Sequence, residues 1–138
     1  MPDLIVDASI ALAWGLPDES SSYAVTVLEA VEQHVMHVPA LWAYEIANGL
    51  VIATRRQRIT QAEVQRFTAA LSRLRVSVSR FDILTLIHDG TASAIKLGLT
   101  AYDGAYVDLA VQAGLPLATL DARMASAAVA AGATVFVP

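Results

Sequence analysis

A chain of 138 residues without cysteine is sized for one domain with a real core, and disulfides, thiolate zinc sites and cysteine nucleophiles are excluded together. A net charge of −4 with a pI near 5.2 argues against a nonspecific nucleic-acid coat. Apolar residues reach 56% and charged residues only 16%, a surplus that predicts an oligomer or a permanent partner, because a lone small domain must otherwise expose it.

In chain order, the apolar run over 3–7 reads as a short buried strand. "SSSYAVTVLEAVEQH" offers serine caps and apolar residues at Ala24, Val27, Leu28 and Val31, the spacing of an amphipathic helix. "VMHVP" is a second strand. A helix follows from Ala40 to about Ala53, closed by the positive "RRQR". Thr60 and Glu63 form a capping box ahead of Val64, Phe67, Leu71 and Leu74. "RVSVS" alternates as a third strand. A helix over 82–97 ends at Gly98, and Thr100 starts another through "AYDGAYVDLAVQAG". "LPLATL" is a fourth strand, "DARMASAAVAAG" a helix and "ATVFV" a fifth strand. Strands alternating with helices predict a parallel sheet covered on both faces, with the working site at the carboxyl ends of the strands.

No uncharged apolar stretch reaches the ~20 residues of a membrane-spanning helix. "MPDLIV" lacks a basic leader, so a cytoplasmic protein without membrane attachment is expected. Seven of the nine basic residues fall between Arg55 and Arg80, which makes this acidic chain polarised. Solvated helix faces explain that equally well.

Asp7 ends the first strand and Asp121 ends the fourth, so two strands deliver a carboxylate to the same edge. Taken singly, Asp121 is as readily an N-cap, and Asp103, in Thr100-x-x-Asp103, a capping residue. Glu45 lies mid-helix in "ALWAYEIANGL" among apolar residues with no basic neighbour within a turn, and Asn48 one turn on is placed to support it. If the four gather, their repulsion requires a counter-charge or raised pKa values, and hard oxygen donors suit Mg²⁺ or Mn²⁺. Ser9 and Thr119 flank the acids and are candidates to orient water or a carboxylate. His34, His37 and His88 read as structural or surface residues, Asp89 and Asp108 as solvated, and Tyr102 and Tyr106 as packing residues.

"VDAS" (6–9), "YEIANGL" (44–50), "LTAYDGAYVDLA" (99–110) and "LATLD" (117–121) together resemble the PIN domain. Their order, spacing and overall length are similar to VapC, the toxin half of VapBC toxin–antitoxin pairs. The resemblance covers essentially the whole chain, 1–138, as a single PIN domain. It implies an α/β three-layer sandwich with a five-stranded parallel sheet flanked by helices, and an Mg²⁺- or Mn²⁺-dependent endoribonuclease. By the same resemblance Asp7, Glu45, Asp103 and Asp121 are the catalytic metal-site acids, supported by Ser9 and Thr119. Gly104 stands where the family often has alanine. A homodimer and a VapB-like antitoxin that wraps the toxin are also implied. Arg55, Arg56 and Arg58 are then candidates for the RNA backbone, since a carboxylate site repels RNA by itself.

Two rival enzymes fit less well. A haloacid-dehalogenase-like phosphatase usually carries a second Asp two residues after the first, where Ser9 stands, and a receiver domain wants an early acidic pair and a late lysine, whereas Lys96 is mid-helix. From another class, a catalytically silent RNA- or protein-binding module would use the acids as caps and surface charge, and would not respond to Mn²⁺.

Overall fold

The computed structural model describes residues 3–138. Leu4, Ile5 and Val6 have no exposed surface and form β1 (Leu4–Val6), the centre of the sheet. The chain then turns straight into α1 (Ala8–Gly15), with Asp7 as its N-cap. A 3-10 turn (Pro17–Glu19) leads to α2 (Ser22–Val31), capped by Ser21, and then to β2 (Met36–Pro39) and α3 (Leu41–Arg55). α4 (Gln61–Leu71) opens with the expected capping box, in which Thr60 and Glu63 satisfy each other's backbone amides. β3 (Val76–Ser79), α5 (Ile83–Leu97), α6 (Ala101–Ala113), β4 (Leu117–Ala118) and α7 (Ala122–Ala130) complete the order. Gly98 and Gly114 end α5 and α6 at φ of 68° and 64°, the left-handed stop for which glycine is suited.

The sheet runs β3-β2-β1-β4, with every pairing parallel. It has four strands rather than five. The segment expected as the fifth makes one parallel bridge, Leu117 to Val135, with Leu117 N donating to Thr134 O at 2.9 Å and Phe136 N to Leu117 O at 2.8 Å. β4 is only two residues long, which leaves little ladder for a neighbour to extend. α1 is absent from the sequence pattern, because Ala8, Ile10, Ala11 and Ala13 are all buried and leave no polar stripe to betray a helix.

α6 packs across β1, β2 and β4, and Tyr106, Val107, Leu109 and Ala110 bring its buried face into the core. After β1 the chain builds outward through β2 and β3, then returns to place β4 on the other side of β1. The order of strands therefore reverses between β1 and β4. In open α/β sheets the crevice outside the carboxyl ends at such a reversal is where ligands bind. No helix among the described residues is long and apolar enough to cross a membrane.

Candidate active site

The polar side chains buried in the core are Asp7 and Thr119, at 5% and 7% exposure, and both stand at that reversal. Thr119 Oγ1 and Ser9 Oγ each donate to Asp7 Oδ2 at 2.7 Å, and Ser9 N approaches Oδ1 at 3.4 Å. A buried carboxylate is tolerable only with such partners. Thr119 Oγ1 in turn accepts from Asp121 N at 3.0 Å, and Ser9 Oγ from Leu120 N at 3.4 Å. Ser9 and Thr119 thus tie the ends of β1 and β4 through one carboxylate.

Asp121 caps α7, its Oδ1 accepting from Arg123 N at 2.9 Å and Met124 N at 3.2 Å. Asp103 occupies the first turn of α6, where Thr100 Oγ1 accepts from its amide at 3.1 Å. Capping and pocket lining coincide at these acids, so the two readings are not alternatives. Glu45 reaches the same place from the second turn of α3, and its Oε1 accepts from Tyr106 Oη at 2.6 Å.

Asp7, Ser9, Glu45, Asn48, Asp103 and Asp121 line one open cavity of about 340 Å³, with the apolar Leu12 and Met124 in its wall. The four acids thus converge. Burial raises the pKa of Glu45 most; the Tyr106 hydrogen bond opposes this, and Asp7 and Asp103 push it up further. Asp103 is likewise raised by burial, then by Asp121 and Asp7, against the relief of Thr100 and of the Arg123 charge. Among the described residues no three acids or histidines close into a ready-made ion cage, and the carboxylates of Asp7, Glu45 and Asp121 lean on donors of the protein. The donor set nonetheless fits a hard divalent cation, being all oxygen and crowded with like charge.

Other expectations change. Asn48 lines the cavity but is exposed, and among the described residues makes no side-chain hydrogen bond; support of Glu45 falls to Tyr106 instead. Tyr106 packs as expected, yet its hydroxyl serves the site, and its place three residues after Asp103 on one helix face is the signal for it. Tyr102 is exposed, not packed. Asp108 is half-buried rather than solvated: Ser93 Oγ donates to it at 2.5 Å, and burial raises its pKa. Arg55 and Arg56 are exposed beyond the end of the cavity-lining face of α3. Arg58 is engaged structurally, its Nε and Nη2 donating to Asp18 at 2.8 and 2.9 Å and Nη2 to Glu19 at 2.8 Å. Arg123 is an addition to the expected set, standing two residues from Asp121; its Nη2 donates to Gly98 O at 2.7 Å beside the start of α6. The histidines stay outside the cavity, His37 against Asp3 at 3.1 Å and His88 against Asp89 at 2.9 Å.

Residues 4–130 match the PIN domain. Ribonuclease VapC3 of Pyrobaculum aerophilum is 34% identical over 122 residues, covering 88% of this chain and 92% of its own. VapC ribonuclease Mb0985 of Mycobacterium bovis is 35% identical over 121 residues, covering 88% and 87%. Among solved structures, PAE2754 of Pyrobaculum aerophilum superposes with a TM-score of 0.69 at 24% identity, over 91% of this chain and 84% of its own. FitAcB of Neisseria gonorrhoeae gives 0.52 at 18% identity, over 97% and 96%. These two show the fold.

Proposed function

This chain belongs to the PIN-domain family, and from that premise we propose that it is a metal-dependent endoribonuclease, the toxin of a VapBC-type pair. The observation that carries this reading is the convergence of Asp7, Glu45, Asp103 and Asp121 on one cavity at the sheet's reversal point. The relatives' name of ribonuclease supplies the substrate class. Those four acids would hold Mg²⁺ or Mn²⁺, which when bound supplies positive charge against a phosphate and acidity toward water.

The residues have separable tasks. Ser9 and Thr119 fix Asp7 by one oxygen and leave Oδ1 turned to a single long contact. Asp103 and Asp121 enter from the first turn of α6 and the cap of α7, so two helix N-termini with their partial positive charge face the acids. Leu12 and Met124 make part of the wall apolar. Arg55 and Arg56, about two turns past Asn48 at the end of α3, are suited to the RNA backbone that the acids repel. A VapB-like antitoxin and a second copy of the chain are the partners in this reading, and the cytoplasm its compartment.

A labelled RNA pool incubated with the purified protein tests it. Discrete cuts are expected with Mg²⁺ or Mn²⁺ and none with EDTA or with Asp7→Asn. Equal cutting by wild type and variant would remove the pocket from the reaction.

A further inference from the structure

Two of the four acids have their carboxylates held by something close in the chain. Asp7 has Ser9 two residues on and Asp121 catches the amides at the start of its own helix, while Asp103 is placed through its backbone, its amide donating to Thr100 Oγ1. Glu45 has no such help. It lies in the second turn of α3, where backbone amides are already committed to the helix, and a glutamate there can sample several rotamers. Among the described residues its one hydrogen-bond donor is Tyr106, 61 positions away on α6.

Tyr106 is built to be rigid. It has no exposed surface, it is the largest of the fully buried side chains, and it stands on the core face of α6 three residues after Asp103. Its hydroxyl meets Glu45 Oε1 at 2.6 Å, a short contact of the charge-assisted kind. One oxygen of Glu45 is thereby fixed from outside the cavity, which leaves the other for the cavity.

We propose that Tyr106 is a positioning residue for the metal site: it sets the Glu45 carboxylate against Asp103 by linking α3 to α6, and does not itself touch cation or RNA. The proposal rests on the cation-site reading above. It assigns to a core tyrosine a part that its burial alone would not suggest, since packing needs the ring and not the oxygen.

Tyr106→Phe removes that oxygen and keeps the ring. Mn²⁺ titrated calorimetrically into the metal-free protein should bind at least about tenfold more weakly to Tyr106→Phe than to wild type, with the far-UV spectrum unchanged. In a Glu45→Ala background, where no side chain remains for the hydroxyl to hold, adding Tyr106→Phe should cost nothing further in Mn²⁺ affinity, because the residue acts through the carboxylate. A merely structural tyrosine would weaken binding equally in both backgrounds. Unchanged affinity in the single variant, or an equal loss in the Glu45→Ala background, would overturn the proposal. Absence of Mn²⁺ binding by wild type would instead overturn the reading on which it rests.

Discussion

Asp7 is a carboxylate with 5% of its surface exposed, set among Leu4, Ile5, Val6 and Ile10, all without exposed surface. Burying such a group is costly for folding. Asp7→Asn should cut RNA cleavage by on the order of 10²–10³, as loss of one electrostatic group at a reaction centre commonly does, while leaving the melting temperature equal or higher. Glu45 makes a second case through pH. Its folded pKa lies above the ordinary value of 4.5, so the folded state binds the proton more tightly than the unfolded state. Stability is then contributed on the acid side and lost as pH rises from about that value through the raised one. Glu45→Gln keeps an acceptor for the Tyr106 hydroxyl and cannot ionise. Melting curves in EDTA should show the wild type losing stability relative to Glu45→Gln as pH climbs through this window, and a constant difference would contradict the assignment. The four acids that line the cavity stood out in the sequence because each stands at an element boundary or breaks an apolar helix. The partner of Glu45 did not, since a contact across 61 residues leaves no local pattern.

Among the elements, two glycines bracket what the helices allow. A Cβ on Gly15, the last residue of α1, would lie 2.6 Å from two ring carbons of the buried Phe67 on α4. Gly15→Ala should cost about 1–3 kcal/mol through forced repacking, read by denaturant unfolding. Gly104 in α6 is the opposite case, because a Cβ there meets Ala94 Cβ at 3.5 Å, an ordinary contact. Gly104→Ala should stabilise the protein by about 0.5–1 kcal/mol from helix propensity alone. The alanine common at this position in the resembling family thus fits without strain. Helices with one polar face were readable, as α2, α3 and α4 were. α1 was not, because it is enclosed and follows its strand through a single capping residue. The fifth strand was over-read for a related reason: "ATVFV" has strand composition, but pairing depends on a neighbour, and β4 offers two residues.

At the scale of the whole molecule, the apolar surplus has an address. α5 lies on α6 with Ala94 as its one buried residue, while Leu84, Ile87 and Ile95 are 75%, 60% and 77% exposed at helical spacing. Ile83, Phe81 and Val78, beside them in the chain, are exposed as well, and an apolar surface of this kind suits an interface. If a second copy covers this face, Ile87→Glu should shift sedimentation toward the monomer, and an unchanged profile would place the dimer elsewhere. Charge is polarised on the same scale. Replacing Arg55 and Arg56 by alanine should weaken RNA binding and flatten its salt dependence by ~0.7 in log–log slope for each phosphate no longer neutralised. An unchanged slope would count against that flank.

The central claim is that Asp7, Glu45, Asp103 and Asp121 form one cation site, and anomalous diffraction from crystals soaked in Mn²⁺ tests it most directly. Anomalous density is expected in the cavity these four line, present in wild type and gone in Asp7→Asn. Density confined to other acids such as Asp3, Asp89 or Asp108, with the cavity empty in both, would contradict it.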